Sequence, residues 1–209
     1  VIDSLLLAST PDANTTDSFI QSKAAELDYD PQLIFDFLRT DIGYESYVGS
    51  LRGARGTLWS GTGNSVDEAS LGVALFRASG IPARYARSTL SDPLSQQLIL
   101  SMFPEPQRVT GFIDQGTITS DPTQDTKLLT ETRDHYWVQF DAGSGMTDAD
   151  PAFMSAVIGQ TFANAIDTFD EISDDLRSKV ELHLRREITT PAAGLLGGGS
   201  GQDTASVLD

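Results

Sequence analysis

Cysteine is absent from the 209 residues. Disulfides, thiolate nucleophiles and cysteine-ligated zinc are therefore excluded, and the chain carries no redox signal about its compartment. Basic residues are scarce: 14 Lys and Arg stand against 30 Asp and Glu, a formal net charge of −16. A surface of that sign repels phosphate backbones and anionic headgroups, so neither nucleic acid nor a membrane surface is an expected partner. No apolar run approaches the ~20 residues needed to cross a bilayer, so no membrane insertion is expected. Residues 1–8 are partly apolar but lack a basic flank, and read as a processed or truncated start rather than an intact signal peptide. Gly61-Thr62-Gly63 is too short for a dinucleotide fingerprint and no Walker lysine follows it. Asp141, Asp148 and Asp150 lack the order of a calcium loop. No cofactor and no metal is expected.

What remains is an ordinary globular composition, 39% hydrophobic, enough for a buried core in one domain with appendages. Residues 17–27 set Phe19, Ile20, Ala24 and Leu27 at helical spacing. Asp30 followed by Pro31 marks a second helix start, with Leu33, Ile34, Phe37 and Leu38 as its apolar stripe. Residues 42–48 suit a short extended piece. Residues 53–64 hold four glycines and read as a loop. Residues 66–79 are apolar on nearly every side and end at Gly80, the pattern of a central buried helix. Residues 81–89 read as a strand, 92–102 as a short helix, 109–113 as another strand and 115–126 as a surface loop. Residues 133–141 form a strand that sets His135, Trp137 and Gln139 on one face and Tyr136, Val138 and Phe140 on the other. Helices are expected over 153–166 and 170–178, a strand-like alternation over 180–184, and a mobile Gly- and Ser-rich tail from Gly194.

Three places carry chemistry. Gly63-Asn64-Ser65-Val66-Asp67-Glu68 is a glycine loop entering the central helix, Asp134-His135-Tyr136-Trp137-Val138 is a strand, and Asp148-Ala149-Asp150-Pro151 follows the next turn. A hydroxyl at a helix N-terminus, a strand histidine and a carboxylate can form a nucleophile–base–orienter set, with the helix dipole favouring developing negative charge. With the further segment Gly80-Ile81-Pro82-Ala83-Arg84, the chain resembles the transglutaminase-like superfamily over residues of about 45 to 155. That family shows a Gly-x-Cys-x-Asp-x-Ala stretch, a Gly-Ile-Pro-Ala-Arg segment, a His-x-Trp-Val strand and a closing Asp-Pro. The resemblance implies an α+β, papain-like fold, the transglutaminase core, in which a central buried helix packs on an antiparallel sheet with a cleft between them. It implies His135 as base, Asp150 as its orienting carboxylate, and Ser65 where the family has its nucleophilic cysteine. Trp59, Asn64 and Trp137 are candidates for the substrate cleft or an oxyanion donor.

Each residue also has a plainer reading. Ser65 to Glu68 is a capping-box pattern, Ser at the N-cap and Glu three residues on. Asp150 before Pro151 suits the cap of a following helix, Asp67 suits an exposed first turn, and His183 is given no role. Serine is a far weaker nucleophile than a thiol at its free pKa. The expectation is therefore a catalytically silent or weakened domain of a larger bacterial protein, extracellular or cell-surface, that binds protein or peptide or serves structurally. Two rivals stand beside it. One is an active acyl-transfer enzyme using Ser65, His135 and Asp150, with Gln and Lys side chains, amides or esters as substrates. The other is an engineered serine in place of the cysteine of an active enzyme. By segment, residues 1–40 are expected to be a helical piece packing on the core, 41–168 the core, and 169–209 a C-terminal extension with a flexible tail.

Overall fold

The computed structural model describes residues 4–103, 120–179 and 181–183. The chain divides into two compact units, Val1–Ser178 and Lys179–Asp209. The first unit opens with helices α1, Ser18–Glu26, and α2, Pro31–Asp41. Each begins on an aspartate that satisfies first-turn N–H groups: Asp17 accepts from Phe19 and Ile20, and Asp30 from Gln32 and Leu33. Their buried residues, among them Ile20, Ala24, Ile34, Phe35 and Leu38, belong to the main core cluster.

Strand β1, Gly43–Tyr44, pairs in parallel with β2, Thr62–Gly63. Between them, where glycine content predicts a loop, lies helix α3, Gly53–Ser60. Its support comes from outside the segment. The Asp67 carboxylate accepts from the N–H groups of Leu51, Arg52 and Gly53 at 3.1, 2.9 and 2.9 Å, and so caps α3 from another element.

Helix α4, Ser65–Ala78, is the centre of the unit, with every residue from Ser65 to Arg77 buried. It packs on a sheet of four strands in the order β5-β4-β3-β6: β3 is Ala83–Thr89, β4 Asp134–Phe140, β5 Thr147–Ala149 and β6 Asp167–Phe169. All three pairings are antiparallel. Phe76 of α4 stacks on Phe140 of β4, ring centroids 4.4 Å apart. The helix comes this close because Gly72 has no side chain: a Cβ there would lie 2.7 Å from Val138 Cγ2 and 3.1 Å from Leu38 Cδ1. Arg77, buried near the other end, donates to Ala8 O, Ala83 O and Asp170 O, so one guanidinium ties the N-terminal segment, the sheet and the C-terminal segment together.

Helices α5, Asp92–Ser101, and α6, Thr126–Arg133, pack on each other. The sequence patterns give no sign of α6; Asp125 caps it, accepting from Lys127 and Leu128. Two expected helices are absent. Over residues 153–166 the backbone bonds to strands instead, Gly159 N–H to Asp148 O and Ile166 N–H to Arg87 O. Over 170–178, Leu176 O accepts from Ser50 N–H and Ser178 N–H donates to Ser50 O, an extended bridge in place of a helix. The strand expected over 109–113, the first part of the loop over 115–126, residues 180 and 184, and the tail from Gly194 lie outside the described residues. In the second unit, His183 Nε2 is 3.2 Å from Glu181 Oε1, both side chains exposed.

Candidate active site

The N-cap of α4 is Asn64, whose Oδ1 accepts from Asp67 N–H at 3.0 Å. The capping-box reading of Ser65 is thus corrected by one position: Asn caps as well as Ser, and Ser65 becomes the first helical residue. Its hydroxyl is free to leave the helix and donates to the backbone carbonyl of Asp134 at 3.3 Å. Asn64 lines the cleft, but its side chain is not free to serve as an oxyanion donor. Its Nδ2 donates to Tyr47 O and Gly49 O at 2.9 and 2.8 Å, and its N–H to Tyr47 Oη at 3.1 Å, so its donors are spent on the neighbouring loop.

Residue 135, next along from that carbonyl, carries the imidazole. His135 Nε2 lies 2.9 Å from Asp150 Oδ2, and both side chains are fully buried. Asp150 therefore orients an imidazole, and no helix follows it to be capped. With Nε2–H donating to Asp150, Nδ1 is the basic nitrogen; it is buried without a hydrogen-bond partner among the described residues. The Trp137 ring lies alongside His135, centroids 5.8 Å apart and planes at 23°, and its Nε1–H donates to Asp148 Oδ1 at 2.8 Å. Trp137 is thus a buried wall of the imidazole site and does not line the open cleft. Trp59 is not in the cleft either. Because its segment is helical, it projects outward, 65% exposed, edge-on to Phe19 and 4.6 Å from the Arg55 guanidinium.

A cleft of about 420 Å³ opens beside Ser65, with Tyr47 and Gly49 among its lining on the loop side and Arg87, Asp134 and Tyr136 on the sheet side. The loop wall is fixed by Asp67, which is fully buried rather than exposed on the helix surface. Besides the α3 cap, its carboxylate accepts from Tyr47 Oη at 2.7 Å and lies 2.9 Å from Ser50 Oγ. Burial first, and then the Asp67 carboxylate, hold the Tyr47 phenol well above its ordinary pKa. One position on, burial and the nearby carboxylates of Asp150 and Asp67 push Glu68 well above the usual carboxylate range. The same wall is strapped by the C-terminal segment of the unit. Arg177 Nε donates to Asp12 Oδ2 at 2.8 Å, while Arg177 also pairs with Glu171 and Asp174. Gly49, at φ +71°, admits this strap, since a Cβ there would sit 2.2 Å from Leu176 O.

The structure thus joins Ser65 to the backbone preceding His135 and joins His135 to Asp150, but it makes no hydrogen bond between the Ser65 hydroxyl and the imidazole. Sequence reasoning misses Tyr47, Arg87, Asp134 and the burial of Asp67. Only Asp67 left a usable signal, its fixed place two residues after Ser65 in the family motif. Among the described residues no cluster of His, Asp or Glu is arranged to hold a metal ion, and no helix is long and apolar enough to cross a membrane.

Residues 13–151 match the family model described as the transglutaminase-like superfamily. A crystal structure described as a "Putative Cysteine Protease from Cytophaga hutchinsonii" is similar at 18% identity with a TM-score of 0.46, over 70% of this chain and 40% of that one. This chain accordingly spans less than half the length of that protein. No curated protein matches the chain. Fold and site together define a papain-like α+β domain with a buried His–Asp pair beside the start of its central helix. The family match covers more than half of the residues, and the chain belongs to the transglutaminase-like superfamily.

Proposed function

We propose that this domain is catalytically silent or severely weakened and that it binds a protein or peptide segment in the cleft beside Ser65. The observation that carries the reading is the partner of one hydroxyl. Ser65 Oγ donates to Asp134 O, while His135 Nδ1 has no partner among the described residues. A serine nucleophile needs its base on the hydroxyl proton; here that proton is spent on a carbonyl. A thiol depends less on such help, because its free pKa of about 8.5 lets a nearby imidazole ionise it. The larger sulfur and its longer bond to carbon also reach further from the helix.

A second reading has an observation of its own, the fully buried His135–Asp150 pair at 2.9 Å. On that reading Ser65 attacks an amide or ester carbonyl, His135 takes the hydroxyl proton and returns it to the departing amine or alcohol, and water or an amine resolves the acyl intermediate. Amine incorporation, deamidation and peptide hydrolysis, measured on the native chain, Ser65→Ala and Ser65→Cys, separate the two. The expected outcome is native and Ser65→Ala chains both at background, with Ser65→Cys about a hundredfold or more above it, the scale of a working base. Native turnover that Ser65→Ala abolishes would establish the second reading and end the first.

A further inference from the structure

Hydrogen-bond accounting in the cleft is lopsided. Among its acidic groups, Asp134 has both oxygens engaged, Oδ1 by Arg87 Nε at 2.6 Å and Oδ2 by Tyr136 Oη at 3.1 Å. Glu131 Oε2 accepts from Ser46 Oγ at 2.7 Å, its Oε1 lies 3.8 Å from Lys127 Nζ, and its side chain is only 7% exposed. Arg133 donates through Nε and Nη2 to Asp92. Arg87 differs. Its Nε is held by Asp134 and its guanidinium carbon lies 5.4 Å from the Tyr136 ring centroid, yet Nη1 and Nη2 have no acceptor among the described residues. The side chain is 41% exposed. A guanidinium clamped by a carboxylate at one edge and an aromatic face beneath has lost its freedom before any ligand arrives.

Placement reinforces this. Arg87 and Ser65 both bond to Asp134, one to its side chain and one to its carbonyl, and all three line the same cleft. The N–H groups of Ser65 and Val66, at the positive end of α4, also lack an acceptor among the described residues. The cleft therefore presents unspent donors and spent acceptors, in a chain whose overall charge is −16.

Building on the peptide-binding reading above, we propose that Arg87 determines the ligand class: the cleft takes a peptide carboxylate, seated on the two free Arg87 nitrogens next to Ser65. A planar carboxylate matches that fork with two parallel hydrogen bonds. The carboxylate is supplied by an acidic side chain or by a peptide C-terminus.

The test uses the immobilised full chain and randomised hexapeptides with amidated C-termini, with bound peptides read by mass spectrometry. A second pool with free C-terminal carboxylates distinguishes the two sources. The native chain is expected to enrich Asp or Glu at one position of the amidated pool, or the free-acid pool over the amidated one, by about tenfold, the scale of a charge-assisted pair. Arg87→Gln is expected to lose that enrichment, and Arg87→Lys, which keeps the charge but not the fork, to retain only a fraction of it. Enrichment of other residues with no preference for a carboxylate would overturn the Arg87 assignment and leave peptide binding standing. An acidic preference unchanged in Arg87→Gln would also overturn it. No enrichment from either pool would overturn peptide binding and the assignment together. The native comparison of the two pools stands even if a variant fails to fold.

Discussion

Glu68 is a carboxyl kept among carboxylates. It is buried one turn into α4, with Asp150 and Asp67 close enough to raise its pKa and Tyr44 beside it. In the folded chain it therefore holds its proton at pH values where the unfolded chain, near the ordinary 4.5, has released it. Folding takes up a proton in that window, and stability falls as pH rises from about 4.5 towards the raised folded value. Glu68→Gln cannot ionise and should remove the loss. Thermal melts of the two chains, followed over a range of rising pH, are expected to diverge once the pH passes the ordinary carboxylate value of 4.5, with the variant gaining on the native chain as pH rises. A constant difference across that range would show that Glu68 is not the source. Glu68 also marks how far single residues could be read. The order Ser65, His135, Asp150 was legible because each sits in a short local motif. The cap at Asn64 rather than Ser65 was not, because both residue types cap equally well and the choice is made by Tyr47 and Gly49, which hold the Asn64 amide from a loop at another point in the chain.

Among the elements, α3 shows what a remote side chain can do. Its sequence starts with glycine and has no capping side chain of its own, yet the N–H groups of Leu51, of the N-cap Arg52 and of the first helical residue, Gly53, all end on the Asp67 carboxylate. Asp67→Asn keeps the shape but replaces one acceptor oxygen by an NH₂ group facing donors. The expected cost is about 2–3 kcal/mol, the penalty for leaving buried N–H groups unpaired, read as a shifted denaturant midpoint at constant slope. A loss below about 0.5 kcal/mol would mean that α3 stands without this cap. The contrast with the other helices is instructive. Helices α1 and α2 carry their own caps and apolar stripes, and α4 is apolar on nearly every side, so they were visible in sequence. Residues 153–166 and 170–178 have helix-compatible composition, but their backbone groups find partners on Asp148, Arg87 and Ser50, and tertiary bonding overrides local preference.

For the whole molecule, the family match and the folded unit have different extents. The match ends at residue 151, whereas the first unit runs to Ser178. The difference includes β6, which pairs with β3; Phe169, stacked on Tyr85 at 5.3 Å; the buried Ile172; and Arg177 on Asp12. A chain cut after Pro151 holds all three candidate catalytic residues, yet it is expected to show no cooperative melt, because the core face around Tyr85 is stripped bare and buried Arg77 loses its tie to Asp170 O. A chain ending at Ser178 is expected to melt cooperatively. A sharp transition in the shorter chain would show that the strap is dispensable.

The unbonded Nδ1 of His135 has one more consequence. Holding a polar atom in the interior without a partner costs roughly 1–3 kcal/mol, and His135 Nδ1 is such an atom among the described residues. Serine and cysteine codons can differ by a single nucleotide. On the proposed silent reading, reactivity would thus be one base change away from return, and the molecule would be a dormant form rather than a ruin.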